Sequence, residues 1–363
     1  MKTCEGETMN ILKKIAMTLG IVAMSATTAM AEEKTKVGFI YVGPTGDHGW
    51  TYRHDIGRKQ VEEAYGDKVE TFYVESVGEG PDSERVLTQM ALNGADIIFA
   101  TSFGYMDSVL NVAKKFPNIK FEHATGYKQS ENAANYGLKL YQARHVQGVI
   151  AGMMTKTDKI CYIASFPIPE VIREINTFFL GARKHNPNVE ISIAWVYTWY
   201  NPGKEKDAAN ALISQGCDVV AQHTDSPAPL QAAEEKGVVG FGQASDQMKF
   251  APKAQLTATI DNWGPYYIDK VGQVMDGTWT TGDYFGHMNE GAVQMAPFAN
   301  MPPEVEAEAQ RVKDAITDGE LFGFTGPINK QDGSVFLAEG EVATRMQLDT
   351  MMFYVEGIKS SMP

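Results

Sequence analysis

The middle of this chain can be laid over itself, and that constrains its fold more than any other feature. "LNGADIIFATSFGYMDSVLNVAKKFPNIKFEHATG", from Leu92, and "SQGCDVVAQHTDSPAPLQAAEEKGVVGFGQASD", from Ser214, share one order of parts. In each, a helix-like segment ends in glycine and an aspartate opens an apolar run. A polar loop then starts a second helix-like segment, and a last apolar run ends in another polar loop. Similarity over this length means two copies of one folding unit. Further apolar runs precede each copy: "KVGFIYV" and "VETFYVESV" in the first half, "KICYIASF" and "VEISIAWVYTW" in the second. Short apolar runs separated by amphipathic segments predict parallel sheets covered on both faces by helices. The expected fold class is α/β, with two doubly wound parallel-sheet lobes. A single sheet of about ten strands would lie at the upper limit for open sheets. The 363 residues are enough for two domains.

The first lobe is expected to take residues 35–142 plus about 266–290, and the second about 143–262 plus 291–363. Right-handed crossovers bring the carboxyl ends of all parallel strands to one edge of each sheet. Ligands of open α/β sheets bind there. Two such edges facing each other make a cleft with a hinge behind it.

The loops after the apolar runs carry unusual side chains. The first reads "GPTGDHGWTYRH", where a small polar turn is the norm. The candidate ligand-binding residues from these loops are Trp50, Asp47, Phe103, Tyr127, Phe166, Trp199, Asp225 and Asp246. Aromatic faces with a few carboxylate acceptors suit a flat heteroaromatic or sugar-like ligand: the ring stacks, and the acids accept its N–H or O–H groups. Each assignment has a structural alternative. Trp50 could pack at a helix start, although Gly46 and Gly49 beside it allow a ligand to approach closely. Trp199 could cover the end of its own strand, and Asp246 could cap a short helix. Trp263 and Tyr266 are expected to pack the hinge. His48, His54, His123 and His223 form no helical ligand pair, so structural roles and no metal are expected.

Other classes are disfavoured. A net charge of -13 argues against a nucleic-acid partner. There is no G-x-S-x-G elbow, no Walker A loop and no G-x-G-x-x-G after the first strand, so neither an enzyme nor a cofactor is indicated. Cys161 and Cys217 open strand-like runs and are expected as buried, unpaired thiols. At the N-terminus, Lys13 and Lys14 precede the apolar "IAMTLGIVAM" and the small-x-small Ala29-Met30-Ala31. This predicts a cleavable signal peptide over residues 1–31 and a periplasmic mature protein, with no cysteine at the cut to take a lipid.

The stretches "GDHGWTYRHDIG", "GADIIFATSFGYMDSVLNVAKKFPNIKFEHATG", "YQARHVQGVIAGMMTKT", "YNPGKEKDAANALISQGCDVV", "GQASDQ", "GAVQMAPF" and "MMFYVEGIKSS" together resemble the basic membrane protein family. These are substrate-binding proteins of bacterial ABC importers and include purine nucleoside-binding lipoproteins. The resemblance implies a type I periplasmic-binding-protein fold, a small-molecule purine ligand and a membrane permease as partner. It implies that Trp50 stacks on one purine face, that Trp199 covers the other, and that Asp246 takes the ribose-binding position. The chain departs from those relatives where they carry a lysine: it reads Asp261-Asn262-Trp263. A bulkier first-turn ring and a lost ribose contact favour a free purine base, adenine first, over a nucleoside. A secreted nucleosidase or other hydrolase using Asp47 or Asp246 is the alternative from another class. A sensor docking on a signalling receptor would use the same closed form.

Overall fold

The computed structural model describes residues 33–363, and the expected signal peptide lies outside them. The first half runs β1 (Thr35–Ile40), α1 (Trp50–Tyr65), β2 (Val69–Val74), α2 (Pro81–Leu92), β3 (Ile97–Ala100), α3 (Met106–Lys115), β4 (Lys120–Ala124) and β5 (Ala133–Leu138). The chain then passes through α4 (Tyr141–Met154) to β6 (Lys159–Ala164), α5 (Pro169–His185), β7 (Glu190–Trp195), α6 (Pro202–Ser214), β8 (Val219–His223), α7 (Ala228–Lys236), β9 (Val239–Gly242) and β10 (Gln255–Asp261). It recrosses for α8 (Gly264–Met275) and β11 (Asp283–Gly286), then returns for β12 (Val293–Met295) and α9 (Pro303–Thr317). A small antiparallel hairpin, β13 (Ile328–Asn329) and β14 (Val335–Leu337), and the short α10 (Arg345–Asp349) close the chain.

Two six-stranded sheets result, in the orders β11-β5-β4-β3-β1-β2 and β12-β10-β9-β8-β6-β7. The orders coincide when β1 is matched to β6, so the internal repeat of the sequence is an internal repeat of topology. The exception to parallel pairing in these sheets is β12, which runs antiparallel to β10. It is a three-residue edge strand, made as the chain turns back. Central strands are apolar throughout because both faces are covered: all of β3, "IIFA", is buried.

Local signals explain several boundaries. Pro81 opens α2, with Asp82 and Glu84 in its first turn, and Lys114 and Lys115 end α3, each charge favouring the helix dipole. Asn201 caps α6 by accepting from Lys204 N–H. Helices α4 and α5 approach so closely that a Cβ at Gly148 would lie 2.0 Å from Phe178 O, and one at Gly152 2.3 Å from Ala182 O. These glycines, one turn apart in "GVIAG", allow the backbones to touch. Cys161 and Cys217 are buried free thiols, as expected.

Candidate ligand-binding cleft

Each sheet delivers its strand ends to one gap. From the first sheet, Val42, Trp50, Ser102, Phe103 and Thr125 line a cavity, all following β1, β3 or β4. From the second come Ile168, Glu170, Trp199, His223, Asp225 and Gln243, at or after the ends of β6 to β9. The space they surround totals about 340 Å³, part of it open to solvent.

The opening turn is shorter than the sequence suggested. Helix α1 starts at Trp50, so the aromatic run "WTYRH" is its first turn and not a loop. Asp47 stabilises that start. Its carboxylate accepts from the N–H groups of Gly49, Thr51 and Tyr52 at 2.8–3.0 Å. Burial pushes its carboxyl up to about 7, with the three N–H groups pulling the other way. Asp47 therefore caps α1 and does not line the cavity.

Trp50 is 9% exposed and held edge-on. Its indole N–H donates to Thr101 O at 2.6 Å. Trp263 meets it edge to face at 5.3 Å and His54 at 4.5 Å, and these two stack on each other at 4.6 Å. Trp263 and Tyr266 thus pack the first lobe behind Trp50, through α8 lying on α1. Trp263 lies where the chain crosses from β10 to α8. His54 and His123 are buried in the same lobe, with Nε2 of His123 bonded to Ser102 O at 2.8 Å.

Several of the remaining candidates fall elsewhere. Tyr127 is 55% exposed and contacts Phe103 outside the cavity. Phe166 supports Trp199 from behind, ring centroids 5.1 Å apart. Asp246 is exposed, and its Oδ1 accepts from Met248 N–H and Gln255 Nε2, so it organises its own turn. Phe103, Trp199 and Asp225 do line the cavity.

Sequence reasoning passed over Glu170, His223 and Gln243. Glu170 follows Phe166 in the loop "SFPIPE" and was overshadowed by it, and His223 was read as structural. Gln243 and His223 are tied together through Arg144, a fully buried residue of α4. Its guanidinium donates to Glu174 Oε2 and Gln147 Oε1 at 2.9 Å, to Gln222 O at 2.8 Å, and to Gln243 Oε1. His223 Nδ1 lies 3.3 Å from the same Glu174 oxygen. Burial alone would raise the Glu174 carboxyl, but His223 and Arg144 outweigh it and hold the group down to about 2. No helical spacing links α4, α5 and β8, so no local sequence signal marks this network.

Glu170, Glu174 and His223 could each bring one ligand atom within 4.8 Å of the others. Glu174 is already neutralised by Arg144 at 2.9 Å, which favours an ion pair there over a bound cation. Asp225 is 3% exposed and its Oδ2 has no partner. Burial pushes its carboxyl well up, and Asp47 and Glu205 nearby add to this.

The lobes are shut on each other. Gln247 Nε2 donates to His48 O at 3.2 Å, and Ser245 Oγ donates to the same oxygen. Arg53 Nε donates to Asp261 O at 2.6 Å, and the Trp199 indole N–H reaches Glu79 Oε1 at 3.3 Å. Gly49 sits against the backbone of Asp225.

Residues 34–321 match the family described as ABC transporter substrate-binding protein PnrA-like, Bmp. The chain belongs to the Bmp family. A relative in Brucella abortus, named a purine-binding protein, is 54% identical over 94% of this chain and 97% of its own. A putative ABC transporter glucose-binding protein of Haloferax volcanii is 36% identical over 91% of this chain and 82% of its own. Among solved structures, an ABC transporter solute-binding protein of Aeropyrum pernix superposes with a TM-score of 0.69 at 17% identity, covering 81% of this chain and 92% of that one. This Bmp protein is accordingly a substrate-binding protein of an ABC transporter and not an enzyme, which removes the hydrolase alternative. Family membership implies a small-molecule ligand and a permease partner, and such proteins typically work outside the cytoplasm.

Proposed function

We propose that this Bmp protein is a periplasmic receptor that closes on a purine base, adenine before others, and hands it to a membrane permease. The observation that carries the reading is the cavity itself. Trp50, pinned by its N–H, offers an aromatic wall from one lobe, and Glu170, His223 and Asp225 offer acceptors from the other. Closure is selected by a ligand that touches both lobes. The lysine missing at Asp261-Asn262-Trp263 supports a base over a nucleoside, and the name of the Brucella relative supports a purine. The Haloferax relative's name supports a second reading, a sugar, for which an aromatic wall and carboxylates are also apt.

Small molecules released when the purified protein is denatured, identified by mass spectrometry, should include a purine base. Titration followed by tryptophan fluorescence should show saturable binding of adenine, with nucleosides and glucose weaker. Trp50→Ala should weaken adenine binding tenfold or more, from a stacking contribution of roughly 1–3 kcal/mol. Unchanged affinity would remove Trp50 from the site, and tight glucose binding with no purine response would replace the purine reading by the sugar one.

A further inference from the structure

We propose that Glu170 is the specificity-determining residue of the cleft, its carboxylate accepting from the exocyclic amine of a 6-aminopurine while Gln243 Nε2 donates to a neighbouring ring nitrogen. This rests on the purine-base reading and names which purines the site takes. Glu170 stands in the first turn of α5, is 6% exposed, and faces the cavity. Among the described residues no hydrogen bond reaches its carboxylate, whereas Glu174, one turn further on, has Oε2 paired with Arg144. The nearby Arg173 is directed to Asp349 instead, at 3.4 Å. A carboxylate this buried needs a donor, and the open side is the cavity.

Gln243 supplies the second half of the code. Arg144 donates to its Oε1, which orients the amide so that the nitrogen is the atom left to act as a donor. An acceptor beside a donor complements an amine beside a ring nitrogen. A 6-oxopurine presents the opposite order, an oxygen acceptor beside an N–H. The cavity also disfavours anions. Glu170 and Asp225 line it with carboxyl oxygens, and the cation behind them, Arg144, already donates to Glu174, Gln147, Gln222 and Gln243. Among the described residues, no lysine lines the cavity to meet a phosphate or an acidic oxopurine.

The test is calorimetric titration of wild type and Glu170→Gln with adenine, hypoxanthine and unsubstituted purine, in the presence of a chelator. Wild type should prefer adenine to each of the others by roughly tenfold or more, the range of a charge-assisted hydrogen bond. In Glu170→Gln, whose amide can donate to a 6-oxygen, the adenine-to-hypoxanthine ratio should fall at least tenfold. An unchanged ratio in the folded variant overturns the assignment. If the variant does not fold, wild type alone decides: equal affinity for adenine and unsubstituted purine overturns it. Loss of adenine binding on chelation, restored by zinc, also overturns it, because Glu170 would then be holding a cation. Wild type binding none of the three bases sinks the purine-base reading itself.

Discussion

Replacing Arg144 by methionine should lower the stability of the second lobe by about 3–5 kcal/mol, the usual consequence of removing one partner from a buried ion pair. The volume is nearly kept, so the effect isolates the charge and its hydrogen bonds. Glu174 loses its partner at 2.9 Å, and the Gln147 and Gln243 side-chain oxygens and the Gln222 carbonyl lose a donor. The measurement is the midpoint of urea unfolding, read with a probe in the second lobe. Its pH dependence is a sharper check. The Glu174 carboxyl is held at about 2 in the folded chain, below its ordinary value of about 4.3 when unfolded. A depressed carboxyl contributes stability that is fully present above the unfolded value and lost as pH falls through that value toward the folded one. Wild type should therefore lose stability between about pH 4.3 and 2 from this group, and Arg144→Met should lose less there. Equal midpoints for the two proteins at neutral pH would mean that the network does not hold the lobe together.

Gly49→Ala should impair ligand binding while leaving the ligand-free fold intact. A Cβ at Gly49 would lie 2.3 Å from the Asp225 carbonyl oxygen and 2.8 Å from its Cα. Both are backbone atoms of the opposite lobe, so no side chain can swing away to relieve the contact. The gap must stay open by a fraction of a turn, and overpacking of this kind costs roughly 1–3 kcal/mol. Adenine affinity should drop roughly ten- to a hundredfold. Scattering in solution should show the variant remaining extended when ligand is added in excess, where wild type compacts. Thermal unfolding without ligand should be unchanged, since the obstructed contact exists only when the lobes meet. Wild-type affinity in Gly49→Ala would mean that the ligand does not require the contact between Gly49 and Asp225. Together the two substitutions separate the parts of the machine: Arg144 supports the wall of the second lobe, and Gly49 permits the walls to meet.

Legibility in the sequence followed the range of the interactions. The repeat, the central strands and the strand-end loops were readable because each rests on contacts between near neighbours: apolar runs of strand length, helix-ending glycines, an aspartate before each central strand. Trp50 could be singled out since a tryptophan after a strand, flanked by glycines, is conspicuous where it stands. The edges were less readable. β11 and β12 are four- and three-residue strands that exist only because a sheet of the matching lobe is there to pair with them. Asp246 and Asp47 illustrate a related limit. A carboxylate beside a turn binds a ligand or binds its own backbone, and residue order does not distinguish the two.

Local pattern thus determined two copies of an α/β lobe and the loops that face each other, because periodicity and turn chemistry act over a few residues. Only the tertiary structure decided which side chains meet in the gap. Arg144 fixes Glu174 and Gln243 across separations of 30 and 99 residues, and Trp263 supports Trp50 from the far side of the chain. Such partners are chosen by packing in space, and packing leaves no period in the sequence.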